Sequence, residues 1–222
     1  MPENNRAGAS ETYFLRMGKL KKFIVLLSVA MVCGLGARAE FRWGPAVGVD
    51  IANLKFKQDL ISTGKIVGPQ AGVQGEMMFP GIGFGIDIGA FYSLQGGKLG
   101  LGEKKIWAVD GYGQETSYLH TLSIPVDLRF KWTRMNGLED YIAPYVFGGP
   151  VFDFHLGHNS LKAMNYAFGS IGMQAGLGVE LWKRWQVQGS YVWGLTYAMK
   201  AVKLIDFSGR CSYWTVRVAY MF

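Results

Sequence analysis

From residue 40 onward, apolar and polar side chains alternate one by one, the period of two that belongs to β-strands. The end of the chain shows it best: Trp214, Val216, Val218, Tyr220 and Phe222 share one face, and Thr215, Arg217, Ala219 and Met221 share the other. The preceding stretch repeats it, with Trp185, Val187, Tyr191, Trp193, Leu195 and Tyr197 set against Arg184, Gln186, Gln188, Ser190 and Thr196. Residues 121–132 and 170–181 alternate as cleanly, and weaker versions run through 43–54, 67–79, 83–95 and 141–154. The pattern predicts eight strands and no long helix.

One face of these strands is continuously apolar and aromatic. The other carries Asp50, Glu76, Asp87, Asp127, Arg129, Glu180 and Arg217 among Gly, Ser and Gln. A soluble barrel would turn the apolar face inward; a membrane barrel turns it to lipid and keeps a polar lumen. Alternation does not separate the two, but the connections do. Long segments (55–66, 96–117, 155–165, 198–210) alternate with shorter ones at Pro80-Gly81, Thr133–Asp140 and Lys183-Arg184. Outer-membrane barrels sort their loops this way, with short periplasmic turns and longer outer loops.

Aromatic placement points the same way. With both termini periplasmic, Trp43, Phe79, Phe84, Phe130, Trp132, Tyr141, Trp182, Trp185, Tyr220 and Phe222 fall at one rim. Tyr92, Tyr118, Tyr166, Tyr197 and Tyr213 are expected at the other. Two such girdles match the two interfaces of a bilayer. The fold expected is therefore all-β: an eight-stranded antiparallel up-and-down transmembrane β-barrel spanning 40–222.

Composition adjusts this picture at the amino end. Met17-Gly-Lys-Leu-Lys-Lys, the apolar stretch Phe23–Leu35 and Ala37-Arg38-Ala39 make the three regions of a secretory signal peptide, with cleavage expected before Glu40. Residues 1–39 thus read as an extension plus cleaved signal, with translation starting at Met17. The apolar run Phe23 to Cys33 is too short for a membrane helix, which needs ~20 residues. The 222-residue chain carries 23 Lys+Arg and 16 Asp+Glu. Residues 1–39 hold six of those bases and two of those acids, so the remainder carries 17 against 14, and the case for nucleic-acid binding falls away. Only Cys211 remains beyond the signal, which excludes an internal disulfide.

Little chemistry is legible. An eight-stranded barrel is just wide enough for side chains to fill. The lumen charges are expected to pair, Asp127 or Asp87 with Arg129 or Arg217, and Glu76 or Glu180 with a neighbouring Arg or Lys; a diffusion porin is disfavoured. His155-Leu-Gly-His158 with Asp153 is a possible metal spacing, and His120 with Ser117 or Ser123 a possible catalytic pair of a lipid-modifying enzyme. Neither carries a commitment: no catalytic, cofactor-binding or metal residue is assigned, no cofactor is implied, and the chain is read as a non-enzyme. Gly81-Ile-Gly-Phe-Gly85 is strand, with no helix behind it to cradle a phosphate. The segment 96–117 combines Lys98, Lys104, Lys105, Trp107 and Tyr112, a mixture suited to glycan, lipid-headgroup or protein contact.

Three segments carry a family resemblance. Tyr118-Leu-His-Thr-Leu-Ser-Ile-Pro-Val-Asp-Leu-Arg-Phe-Lys-Trp132, Gly89-Ala-Phe-Tyr-Ser-Leu-Gln-Gly-Gly97 and Ala143-Pro-Tyr-Val-Phe-Gly-Gly-Pro150 resemble strands of the PorT-like outer-membrane β-barrels of Bacteroidetes. Leu119-His-Thr-Leu-Ser departs from that family, which more often has an acidic residue before Ile-Pro. The closing aromatic strand at Phe222 is similar to the assembly signal of outer-membrane barrels. The resemblance implies residence in the outer membrane of a Gram-negative bacterium, contact with its lipid, and insertion by the barrel-assembly machinery. The expected role is structural or adhesive, with an envelope protein or glycan as partner for the outer loops. Its alternatives are an accessory component of an envelope secretion or motility complex, a lipid-modifying enzyme, and a soluble periplasmic barrel that binds a ligand.

Overall fold

A computed structural model of the chain describes residues 40–56, 61–79, 81, 83–159, 161–203 and 208–222. The expected extension and signal, 1–39, and the turn residue Pro80 lie outside the described residues.

Eight strands form a ring: β1 Glu40–Phe56, β2 Ile66–Met78, β3 Phe84–Gly100, β4 Gln114–Lys131, β5 Ile142–His158, β6 Gly169–Leu181, β7 Trp185–Gly194 and β8 Ser208–Tyr220. Each pairs with its sequence neighbour, and β1 pairs antiparallel with β8 from Ala46↔Ala219 to Phe56↔Gly209. That last ladder closes the sheet and removes both edges, which a bilayer without water requires. The shortest strand, β7, has 10 residues, within the ~9–11 that cross a membrane. Two three-residue strands, Met164–Tyr166 and Met199–Ala201, extend the sheet beyond the ring on the loop side.

The side chains are turned as a membrane barrel needs. Val47, Val49, Ile88, Leu128, Leu177, Trp214 and Val216 are exposed, whereas Asp50, Glu76, Asp87, Asp127, Arg129, Glu180 and Arg217 are buried inside. Apolar outside and charged inside rules out the soluble barrel with an inward apolar face. The rings at the rim of the chain termini touch one another: Trp185 to Tyr220 at 5.0 Å, Tyr220 to Phe222 at 5.3 Å, Phe222 to Trp43 at 5.4 Å. Phe84, Phe130 and Trp132 make a second run there, at 4.9 and 5.1 Å.

Two expectations change. Strands β3 and β4 pair as far as Gly100↔Gln114, so the outer connection is 101–113 rather than 96–117. Inside it sit the turns Leu101–Glu103 and Lys105–Ala108. The 132–141 connection, with its own turn at Leu138–Asp140, is no tighter than 159–168, so loop length sorts less sharply by side than the sequence suggests. The tightest turn is Trp182–Arg184, where Trp182 and Lys183 take left-handed φ values of 50° and 59° and the Arg184 N–H donates to the Leu181 carbonyl at 3.1 Å.

Candidate functional site

The two ends of the lumen are filled by two different kinds of packing. Toward the terminal rim, six charges converge. Arg129 Nη1 lies 2.7 Å from Glu76 and its Nη2 2.6 Å from Asp87. Lys131 reaches Glu180 at 3.1 Å and Glu76 at 3.3 Å, and Arg42 reaches both glutamates at 2.7 Å. Three cations meet three carboxylates, so the cluster is neutral, the condition under which buried charge is tolerable. Gln186 completes it, donating to Glu180 at 3.0 Å and accepting from Arg129 at 3.1 Å. Arg42 is the member that sequence reasoning missed. It lies on the inward face of β1, and its even spacing from Asp50 is the signal that would have found it.

Glycine makes room for the rings that carry these cations. A Cβ at Gly178 would lie 2.4 Å from the Tyr145 ring, and one at Gly89 2.3 Å from the Phe91 ring. Each ring therefore lies flat over a glycine and offers its other face to a guanidinium. Arg129 stacks on Tyr145 at 4.0 Å and Arg217 on Phe91 at 3.6 Å, a favourable cation–π arrangement in a desolvated place.

At mid-height the expected pairing fails. Among the described residues Arg217 makes no ion pair; its Nε donates to Gln70 at 2.9 Å. Asp127 takes a hydrogen bond from Gln174 at 2.5 Å, Asp50 from Thr215 at 2.7 Å, and Asp153 from Ser123 at 2.6 Å and Tyr213 at 3.2 Å. Neutral donors bond these carboxylates, and Asp127 Oδ1 has no hydrogen-bond partner among the described residues, while Arg129 is held by Glu76 and Asp87 and Arg217 by Gln70 and the Phe91 ring. Asp87 and Asp127 face each other across β3 and β4, and both line a small polar cavity with Gln74, Gln188 and Arg217. Tyr213, expected at the outer lipid rim, points inward and is 2% exposed. Its odd number places it with Thr215 and Arg217, so the alternation of its own strand outweighs its position at the strand end.

The loop side is capped by an apolar core. Leu54, Leu99, Leu119 and Met199 from the strand ends pack with Ile61, Leu101, Leu161 and Ala198 from the loops, and Trp107 is fully buried among them. Trp107 was expected as an exposed contact residue of the 96–117 segment; instead it anchors the cap, and Tyr112 packs against the same core. Polar bonds lace the loops together. Ser62 N donates to Glu103 at 3.1 Å, Asn159 bonds the Tyr118 N–H at 2.8 Å and the Thr116 carbonyl at 2.6 Å, and Lys203 pairs with Asp110. What remains outside is Lys98, Lys104 and Lys105, with Ile106 and Val109.

The histidines do not assemble. His155 points into the barrel, 3.3 Å from Thr121, while His158 is exposed and stacks on Tyr166 at 3.9 Å. His120 is on the outward face bonded to Tyr92 at 2.6 Å, whereas Ser117 and Ser123 face inward, so strand alternation keeps His120 from either serine. Among the described residues no three His, Cys, Asp or Glu side chains are placed to hold a metal. On the short-turn side, its own backbone N–H and those of Met135 and Gly137 hold the Glu139 carboxyl below its ordinary pKa. A hydrogen bond to Asp140 raises that of Lys183.

Solved structures are similar to this chain. OprG of Pseudomonas aeruginosa is 15% identical over 82% of this chain and 94% of its own, with a TM-score of 0.51. Ail of Yersinia pestis, in a complex with the heparin analogue sucrose octasulfate, is 15% identical over 82% and 99%, with a TM-score of 0.43. Neisserial surface protein A is 15% identical over the same shares, at 0.41. No curated protein matches the sequence. With closure, outward apolar face and rim aromatics in place, and with the family's model matching residues 36–199, the chain is an outer-membrane protein that belongs to the outer membrane protein beta-barrel domain family.

Proposed function

We propose that this protein is a closed structural or adhesive barrel, a rigid anchor that presents its outer loops and passes no solute. The observation that carries the reading is the double seal of the lumen, a neutral six-charge cluster below and an apolar cap above. A pore would need a continuous polar path, and Trp107, Leu54 and Leu99 stand across it. The exposed Lys98, Lys104 and Lys105 supply the contact surface for an envelope protein or glycan. The chain is read as a non-enzyme of the PorT-like branch found in Bacteroidetes, on the Tyr118–Trp132 segment. Export by a cleaved signal before Glu40 and insertion by the barrel-assembly machinery complete the proposal.

Planar-bilayer recording of the purified, heat-modifiable protein tests it. The expected trace is flat at all voltages, and reproducible conductance steps in the wild-type protein overturn the reading.

A further inference from the structure

The charges outside the barrel are as unevenly distributed as those inside. On the outward face at the loop-side rim, Lys55 of β1 lies directly opposite Arg210 of β8, and both are exposed. Lys200 pairs with Ser208 on the short strand beyond, which sets it diagonal to Arg210 on the same face. Like charges directly opposite on neighbouring strands repel. None of the three cations is engaged in an ion pair among the described residues.

Aromatic rings hold two of them in place. Lys55 donates to the Tyr191 hydroxyl at 3.1 Å and lies 5.7 Å from that ring's centre, and Lys200 sits 4.1 Å over Tyr197. On the same outward face, Tyr191 packs on Trp193 and Trp214, each at 4.9 Å. Two neighbouring cations at the interface, above an aromatic wall that faces hydrocarbon, make an amphipathic surface. Its upper part fits a phosphate and its lower part fits acyl chains.

We propose that Lys55 and Arg210, with Lys200 beside them, bind the phosphate of an outer-leaflet lipid whose chains lie along Tyr191, Trp193 and Trp214. The bound anion relieves the repulsion that the register imposes on the two cations. The inference rests on residence in the outer membrane and not on the sealed lumen.

Native mass spectrometry of the full protein tests it, after reconstitution in phosphatidylethanolamine containing monophosphoryl lipid A and exchange into detergent. Wild type should retain a monophosphoryl lipid A adduct, and Lys55→Gln/Arg210→Gln should retain about tenfold less, as expected for lost charge-assisted bonds. Arg184→Gln, which removes the cation beside Tyr220 at the opposite rim, should retain it fully. Heat-modifiable migration of each variant separates lost binding from lost folding. Equal retention by the double variant, equal retention of the dephosphorylated lipid, or displacement by millimolar inorganic phosphate would each overturn the proposal.

Discussion

The two ends of the lumen solve the same filling problem with opposite chemistry. The terminal-rim end uses Arg42, Arg129 and Lys131 against Glu76, Glu180 and Asp87, whereas the loop end uses Trp107, Leu54, Leu99 and Met199. The difference follows from what supplies the side chains. Below, they all come from strands fixed in one closed ladder, so long charged groups can be aimed across the lumen to within hydrogen-bond distance. Above, they come from loops as well, and non-directional apolar packing tolerates their less regular backbone. Charged packing therefore belongs with the strand ladder, and apolar packing with the loops.

The comparison is broken most severely by Glu76→Ala. It leaves three buried cations facing two carboxylates, and the cost is on the order of 3–5 kcal/mol for a buried pair that loses one partner. Urea unfolding in lipid vesicles, followed by tryptophan fluorescence, should show a large shift of the whole-barrel transition. Trp107→Ala removes an aromatic from the cap, about 3–5 kcal/mol of local stability. That loss should appear as fast protease cleavage within 101–113 while heat-modifiable migration stays unchanged. A barrel that melts as a whole in this variant would unite the two ends into one cooperative unit.

Gly178→Ala sharpens the point at smaller scale. The added methyl displaces the Tyr145 ring and with it the Arg129 stack, an overpacking cost of about 1–3 kcal/mol. Tyr145→Leu should restore part of that loss in the same unfolding assay, since a smaller side chain leaves space for the methyl. Smallest of all is Lys183→Ala. It removes only the exposed pair with Asp140, and no change in the unfolding midpoint is expected.

How far each feature was legible depended on which physical rule governed it. Strand count, antiparallel order and the inward set Asp50, Glu76, Asp87, Asp127, Arg129, Glu180 and Arg217 follow from period-two alternation, and the fold has them in those places. The Arg129–Asp87 pair and the glutamates' cationic partners were also anticipated. Arg217 and Asp127, the alternatives to Arg129 and Asp87 in that pairing, take Gln70 with Phe91, and Gln174. Alternation gives a residue's face but not its height, and height relative to other strands depends on the stagger of the closed barrel. His120 beside Ser117 or Ser123, by contrast, is excluded by strand parity alone, which sets it on the opposite face.

The sequence by itself determined the class of the fold, the existence of one continuous apolar face and the aromatics of the terminal rim, because these depend on local period and on position within a strand. Tertiary structure alone decided which charges meet, that Trp107 turns inward, and that Lys55 stands opposite Arg210. Those outcomes depend on register between strands far apart in the chain and on loops folding over a closed mouth. Neither is encoded in the spacing of residues along a single strand.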